Sequence, residues 1–191
     1  FVLTLGKHGQ RSLNYSSDVD VTVFWEPESA RPPEGKEARR AFARVAQKLA
    51  FIMEDMTADG YVFRVDLRLR PDPSSTPAAV NAEMARQYFE AVGQNWERAA
   101  YAKARWCAGD RAAAEAFLAD LEPFIWRRTI DYAAVEDIHA LARQIQAVGR
   151  RSRIEIAGHD VKLGRGGIRE IEFYAQTTQL VFGGRRPALR S

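Results

Sequence analysis

The sequence has very little cysteine and no long hydrophobic run, and both absences exclude classes of protein. Cys107 is the single cysteine among 191 residues, so no disulfide can form within the chain, and no Cys/His group has zinc-site spacing. No apolar segment approaches the roughly 20 residues that a membrane-spanning helix needs. Residues 1–5 are too short for the apolar region of a signal peptide. We therefore expect a cytoplasmic protein with no membrane partner.

Lysine is also scarce, and the positive charge is small. Only five of the 28 basic residues are lysines, and the net charge is +3. No basic run is interleaved with aromatic residues in the way that nucleic-acid binders show, so we expect no nucleic-acid partner. The abundant arginines instead suit two-pronged contacts with phosphate groups. A hydrophobic content of 46% is sufficient for a core in one large domain or two small ones.

The first part of the chain shows alternating strand and helix patterns. Residues 1–5 predict a strand that leads into a turn over residues 6–9, and residues 18–25 predict a second strand. From residue 36 to residue 56 the apolar positions follow helical spacing, and Gly60 ends the segment. Residues 61–69 alternate, with Tyr61, Phe63 and Val65 on one face and charged residues on the other, which predicts a half-buried third strand.

The rest of the chain predicts helices. Pro71, Pro73 and Pro77 interrupt it, no strand pattern follows them, and helical patterns cover residues 84–92, 96–106, 110–124 and 131–149. The predicted class is α+β. We expect a small sheet domain over residues 1–77, followed by a helical region over residues 78–191, with the proline-rich loop as the boundary.

Two aspartates at the start of the second strand are candidate metal ligands. Because side chains alternate along a strand, Asp18 and Asp20 share one face. Carboxylates this close repel each other unless a cation compensates them, and hard oxygen ligands suit Mg²⁺. The pair alone more often marks an ordinary strand entry with two solvated aspartates. Asp66 on the third strand adds a third carboxylate, and three such groups can hold one or two Mg²⁺ ions around a phosphoryl centre.

Residues beside these acids are candidates for phosphate binding. Arg64 and Arg68 share the face of Asp66 and can neutralise phosphate oxygens, although charged residues on a strand more often form a solvated outer face. Gly6 and Gly9 let backbone amides approach a phosphate closely, and Lys7 adds charge. Ser17 can donate to a phosphate oxygen, or it is simply the residue that begins the strand.

Four separated motifs resemble one family. They read LGKHGQRSLNYSSDVD over residues 5–20, RVDLRLRP over residues 64–71, NWER with KAR over residues 95–105, and KLGRGGIREIEF over residues 162–173. The glycine turn, the Asp-x-Asp pair and the later aspartate resemble the polymerase-β-type nucleotidyltransferases. The four motifs together resemble the glutamine synthetase adenylyltransferase and adenylyl-removing enzyme family. The sequence departs from this family's usual residues at His8, Gln10 and Ser12, and we expect His8 to face solvent.

The resemblance implies an activity and its partners. Members carry two similar nucleotidyltransferase halves, one adding AMP to a tyrosine of glutamine synthetase and the other removing it by phosphorolysis. The form GGIREIEF is similar to the adenylyl-removing half, so we expect Mg²⁺-dependent removal of AMP. Forward transfer from ATP and a catalytically silent regulatory or docking module are the alternatives. The implied partners are glutamine synthetase, an adenine nucleotide, phosphate and, through other parts of a longer parent protein, a PII-type regulatory protein. We expect this chain to be a piece of that parent.

The last motif adds candidate residues. Gly164, Gly166 and Gly167 precede a helical pattern, and free amides at a helix start can hold an anion, although a glycine cluster is more often only a turn. With the resemblance, four residues become candidates for nucleotide or phosphate binding: Lys162, Arg165, Glu170 and Glu172. Glu172 is the best of these, because both halves of the family share Ile-Glu-Phe.

Overall fold

A computed structural model describes residues 1–128, 160–162, 164 and 166–190. The chain divides into two compact units, Phe1–Phe124 and Ile125–Ser191. Each unit is described by itself.

The first unit contains a five-stranded mixed sheet. Its strands are β1 (Val2–Thr4), β2 (Val19–Trp25), β3 (Val65–Asp66), β4 (Ala79–Asn81) and β5 (Arg105–Ala108). The order is β3-β2-β1-β5, and β4 also pairs with β2. β1 is antiparallel to β2 and β5, whereas β3 and β4 run parallel to β2, β3 beside its start and β4 beside its end. β2 is therefore paired on both sides, and its start faces β3.

The structure also contains helices. They are α1 (Gly6–Gly9), α2 (Ala38–Glu54), α3 (Ala82–Ala91), α4 (Asn95–Tyr101) and α5 (Arg111–Ile125), and the second unit holds α6 (Ile168–Phe182) and a 3-10 turn at Pro187–Leu189. The Asn81 side chain accepts hydrogen bonds from the amides of Glu83 and Met84 and so caps α3. Within the described ranges, no helix has the length and apolar character that crossing a membrane requires.

The core of the first unit lies on β2. Val19, Val21 and Phe24 are buried. The Phe24 ring packs on Phe117 of α5 at 4.6 Å between centroids and on Phe1 at 5.4 Å. Burial of these aromatic rings fixes β2 in position, and with it the aspartates at its start.

Several sequence predictions are confirmed. The α+β class is correct, and the strands expected over residues 1–5 and 18–25 are β1 and β2. The helices expected over residues 36–56, 84–92 and 110–124 are α2, α3 and α5, and the late helical pattern is α6. The helix expected over residues 131–149 lies outside the described residues.

The turn expected over residues 6–9 is a single helical turn. One local prediction is wrong. The strand expected over residues 61–69 has only two residues, and Tyr61 and Phe63 are 42% and 40% exposed. The cause is a competing set of hydrogen bonds: the amides of Val62 and Phe63 both donate to the carbonyl oxygen of Met53 at 3.0 Å, so the chain is tied to the end of α2.

Two strands were not predicted. β4 follows the prolines directly, and its three residues are too few to show an alternating pattern. The helix expected over residues 96–106 ends at Tyr101, and β5 begins at Arg105. Both strands lie within the region expected to be helical, and both pair with the sheet. The domain boundary after residue 77 stays a prediction.

Candidate active site

The pairing of β2 with β3 brings two of the predicted acids together. The strands are parallel, with Val19 opposite Val65 and Asp20 opposite Asp66, and the amide of Val19 donates to the Arg64 carbonyl at 2.8 Å. Residues in register on neighbouring strands point to the same face of a sheet. Asp18 precedes Asp20 by two positions. The three carboxylates therefore lie at one end of β2.

The electrostatics of the three acids differ. Burial first, and then the negative charges of Asp66 and Asp18, raise the pKa of Asp20. Hydrogen bonds from Arg68 hold the pKa of Asp66 below its usual range: Nε lies 3.0 Å from both carboxylate oxygens and Nη2 lies 2.5 Å from Oδ2. The negative charges of Asp66 and Asp18 repel the half-buried carboxylate of Asp20, and a bound cation would relieve this repulsion.

Arginine side chains hold the two outer acids. Arg64 Nε donates to Asp18 Oδ1 at 2.6 Å, and its Nη atoms donate to the hydroxyl of Tyr61 at 3.0 Å and to the carbonyl of Ser16. The Arg68 side chain is 83% exposed. It can therefore leave Asp66 without disturbing any packed group.

The donor set fits a magnesium ion, but it is not assembled as a ligand cluster. Three carboxylates supply the hard oxygen atoms that Mg²⁺ prefers, and burial, followed by the charges of Asp66 and Asp18, raises the pKa of Asp20. In the described parts of the chain, no three His, Cys, Asp or Glu side chains are grouped closely enough to hold a metal ion. Arg64 and Arg68 take up oxygen atoms of Asp18 and Asp66 that a metal would need, so the metal triad stays a prediction.

Gly6 places the backbone of α1 directly against Asp20. Its φ of +53° lies in the left-handed region, and a Cβ there would stand 2.2 Å from Asp20 Oδ2. The amide of Leu5 and the hydroxyl of Thr4 donate to the Asp20 carbonyl at 2.9 and 3.3 Å. Only glycine permits this approach, and Lys7 follows it on the same turn. The structure thus brings Gly6 against Asp20, and phosphate binding by Lys7 stays a prediction.

Gly9 has a different structural role. A Cβ on Gly9 would lie 2.1 Å from the carbonyl oxygen of Lys103, so this glycine lets α1 pack against the segment before β5. Arg105 then donates from Nη2 to the His8 carbonyl at 2.9 Å and from Nε to the Gly9 carbonyl at 3.1 Å. Sequence reasoning gave Arg105 no role. Its place in the KAR motif is the signal that could have found it. The pattern does not indicate that Arg105 contacts the carbonyl groups of Gly9 and His8, which precede it by 96 and 97 positions.

Ser17 and the NWER motif have structural partners. The amide of Asn14 donates to Ser17 Oγ at 3.2 Å, and the Ser17 amide returns a bond to the Asn14 carbonyl. This supports a structural role for Ser17 in the turn that precedes β2. Glu97 is fully buried, and its Oε2 accepts from the Gln94 amide at 2.8 Å and from the Tyr88 hydroxyl at 3.1 Å. Glu97 therefore joins α3 to α4.

The last motif begins α6 in the second unit. Gly166 has a φ of +75°, and a Cβ on Gly167 would lie 2.7 Å from the Gly164 carbonyl. The Glu170 carboxylate accepts from the Gly166 amide at 2.9 Å and so stabilises the turn. Lys162 and Glu172 are exposed, and Arg165 lies outside the described residues. Nucleotide or phosphate binding by these four residues stays a prediction.

Comparison with known proteins gives matches along the chain. Residues 1–120 match the family described as glutamate-ammonia ligase adenylyltransferase, and residues 139–190 match one described as GlnD PII-uridylyltransferase. A bifunctional glutamine synthetase adenylyltransferase/adenylyl-removing enzyme of Caulobacter vibrioides is 56% identical over 191 residues, which is 100% of this chain and 19% of the relative. The enzyme of the same name from Agrobacterium fabrum is 58% identical over 189 residues, 99% of this chain and 19% of the relative.

The chain thus spans about a fifth of the length of these relatives. The match over residues 1–120 includes the whole sheet, α1 with its Gly6 approach to Asp20, and the Asp20–Asp66 pair. With the sheet, the glycine turn and the paired acids all inside that match, the chain belongs to the glutamate-ammonia ligase adenylyltransferase family.

Proposed function

We propose that this chain carries a nucleotidyl-transfer site that removes AMP from the adenylylated tyrosine of glutamine synthetase by Mg²⁺-dependent phosphorolysis. The observation that carries the proposal is the alignment of Asp20 with Asp66 on paired parallel strands, with Asp18 two positions away and the backbone of Gly6 against Asp20. Burial raises the pKa of Asp20, and the charges of Asp66 and Asp18 raise it further; this repulsion between neighbouring carboxylates supports the proposal, because it favours a divalent cation.

The reaction balances without a covalent intermediate. An oxygen of inorganic phosphate attacks the α-phosphorus of AMP-O-tyrosine, the bond between that phosphorus and the phenolic oxygen breaks, and ADP and tyrosine leave. The phenol has a pKa of about 10, so its anion departs with little help from an acid. When bound, Mg²⁺ would supply charge neutralisation at the phosphoryl oxygens.

The side chains of this unit would position the phosphates. We assign Asp18, Asp20 and Asp66 to the metal, and Arg64, Arg68 and Lys7 to phosphate oxygens. Arg64 and Arg68 now hold Asp18 and Asp66, so metal binding would release both guanidinium groups towards the substrate. The guanidinium fork matches the geometry of phosphate oxygens. Nucleotide or phosphate binding by Lys162, Arg165, Glu170 and Glu172 of the second unit is proposed from the family resemblance.

The direction of transfer and the partners belong to the same proposal. The GGIREIEF form over residues 166–173 supports removal. Forward transfer from ATP is the second candidate, because the name of the relatives covers both activities. A cytoplasmic setting, an adenine nucleotide, phosphate and a PII-type regulatory protein acting through a longer parent follow from the family resemblance. The match of residues 139–190 supports the link to PII.

One pair of reactions separates the candidates. The chain is given adenylylated glutamine synthetase with phosphate, or unmodified glutamine synthetase with ATP, each with Mg²⁺. Removal predicts ADP release in the first mixture only, and Asp66→Asn should abolish it. AMP incorporation in the second mixture alone would replace our proposal with forward transfer. Turnover in neither mixture, with no Mg²⁺ binding in calorimetry, would favour a silent module.

A further inference from the structure

A basic cavity beside α1 is lined by none of the side chains proposed to bind Mg²⁺ and substrate. Its volume is about 610 Å³, and its lining includes His8, Arg11, Arg105, Trp106, Arg111 and Glu115. None of the three aspartates lines it, nor do Lys7, Arg64 and Arg68. The cavity is therefore separate from the site proposed above, and all its lining residues belong to the first unit.

The charge of this cavity is positive. Arg11, Arg105 and Arg111 line it together with one carboxylate, that of Glu115, which accepts from Arg111 Nε at 2.7 Å. Arg105 is fixed by its bonds to the His8 and Gly9 carbonyls. The guanidinium of Arg111 stacks 5.3 Å from the centroid of the Trp106 ring, which orients it over the cavity. Three guanidinium groups against one carboxylate leave an excess that suits a dianion.

His8 supplies a second, independent observation. Its Nδ1 atom is buried and has no hydrogen-bond partner, although buried polar atoms nearly always have one. Burial, and then the charge of Arg105, lower the pKa of His8, so its surroundings disfavour the charged ring. The histidine expected to face solvent instead lines a basic cavity.

The backbone conformation at Arg11 places a further guanidinium group at this cavity. Arg11 has a φ of +59°, a left-handed conformation that is unusual for a residue other than glycine, asparagine or aspartate. Its amide donates to the His8 carbonyl at 3.1 Å. The turn thus holds Arg11 in a costly conformation beside His8, and costly conformations of this kind concentrate at functional sites.

We propose that His8, Arg11, Arg105 and Arg111 form a binding site for the phosphate group of a small anion. Guanidinium forks match phosphate oxygens in geometry and charge. Because Arg105 and His8 also belong to the contact that holds α1, an anion bound here would stiffen the turn whose other side faces Asp20. The site does not depend on the direction of AMP transfer.

The test is a titration followed at His8. Inorganic phosphate and ADP are added separately to the chain without Mg²⁺, while the ring protons of His8 are followed by NMR and the affinity by calorimetry. The His8 signals are assigned by their absence in His8→Gln. We expect a saturable His8 shift, and a tighter response to ADP would identify a nucleotide as the source of the phosphate group.

Variants decide where the anion binds. Arg11→Asn keeps a residue that tolerates positive φ. Arg11→Asn and Arg111→Gln, made separately, should each weaken phosphate binding about tenfold or more, the effect of one charge-assisted hydrogen bond. Arg44→Gln on α2 is the matched control and should change nothing. An unchanged affinity in both Arg11→Asn and Arg111→Gln would overturn the proposal, as would a loss of the His8 shift in Arg68→Gln, which would place the anion at the aspartates.

Discussion

Replacement of Gly6 by alanine tests the geometry of the aspartate site at a single atom. The added Cβ would stand 2.2 Å from Asp20 Oδ2, whereas real Cβ atoms essentially never approach another heavy atom within 3.0 Å. The carboxylate or the turn must therefore shift by about 0.8 Å. The neighbours of Gly6 are themselves tied to β2 through the Asp20 carbonyl. We expect the carboxylate to move.

Two costs follow, and they can be separated. A left-handed φ costs an alanine about 1–2 kcal/mol, partly offset by the lower entropy of its unfolded chain. The displacement of Asp20 adds a functional cost, because an error of about 1 Å in a reacting site can lower the rate about 100-fold. The change should therefore reduce the free energy of unfolding modestly and the rate of ADP release strongly.

Gly35→Ala is the matched control. Gly35 has a φ of +70°, and a Cβ added to it would meet no atom within 4 Å, so this variant carries the backbone cost alone. Urea unfolding of both variants, calorimetric Mg²⁺ titration and phosphate-dependent ADP release form the assay. We expect similar losses of stability and a loss of Mg²⁺ affinity and turnover in Gly6→Ala only. Native Mg²⁺ affinity and turnover in Gly6→Ala would refute the proposed arrangement.

Three further predictions concern charged groups. The pKa of Asp20 is raised in the folded chain, so the folded state binds more protons than the unfolded state between the two pKa values, and stability falls as pH rises through that window. Asp20→Asn in EDTA should thus unfold at an equal or higher urea concentration than the native chain at pH 7, with the difference shrinking towards pH 4; clear destabilisation at pH 7 would contradict this. Arg68→Gln frees Asp66 and should tighten Mg²⁺ binding in calorimetry while weakening the dependence on phosphate, whereas weaker Mg²⁺ binding would be evidence against the exchange of arginine for metal. Glu97→Ala should lower the free energy of unfolding by about 3 kcal/mol, because it leaves the Tyr88 hydroxyl and the Gln94 amide unpaired. Glu97→Gln keeps an acceptor oxygen and should lower it by about 1 kcal/mol; equal losses in the two variants would mean that the Tyr88 contact does not matter.

The aspartate end of the sheet could be predicted because its signals are local. The alternation around Asp18 and Asp20 indicates a strand entry, and the buried valines between and after them determine which face is polar. Asp66 was expected on a strand adjacent to that of Asp20, and the two residues lie opposite each other on β2 and β3. The arginines that hold Asp18 and Asp66 were expected on the same face, but as phosphate ligands, because a sequence does not show whether a guanidinium meets its neighbour or a substrate.

The features that were missed depend on contacts distant in sequence. β4 has three residues and β5 has four. Neither is long enough to show an alternating pattern in the sequence, so each is recognised only by its pairing with the sheet. The segment around Tyr61 alternates well, yet its amides bond to Met53, and tertiary context overrides the pattern. Arg105 reaches carbonyl groups on α1 across more than ninety residues. Gly9 likewise matters for packing against Lys103, which no turn pattern indicates.

We propose that phosphorolysis of AMP-tyrosine at this site requires the three aspartates. This requirement is tested by ADP release from adenylylated glutamine synthetase, with phosphate and Mg²⁺, by the native chain and by Asp20→Asn, which we expect to remain folded. We predict phosphate-dependent ADP release by the native chain and a loss of at least about 100-fold in the variant. Undiminished ADP release by a folded Asp20→Asn chain would contradict the claim.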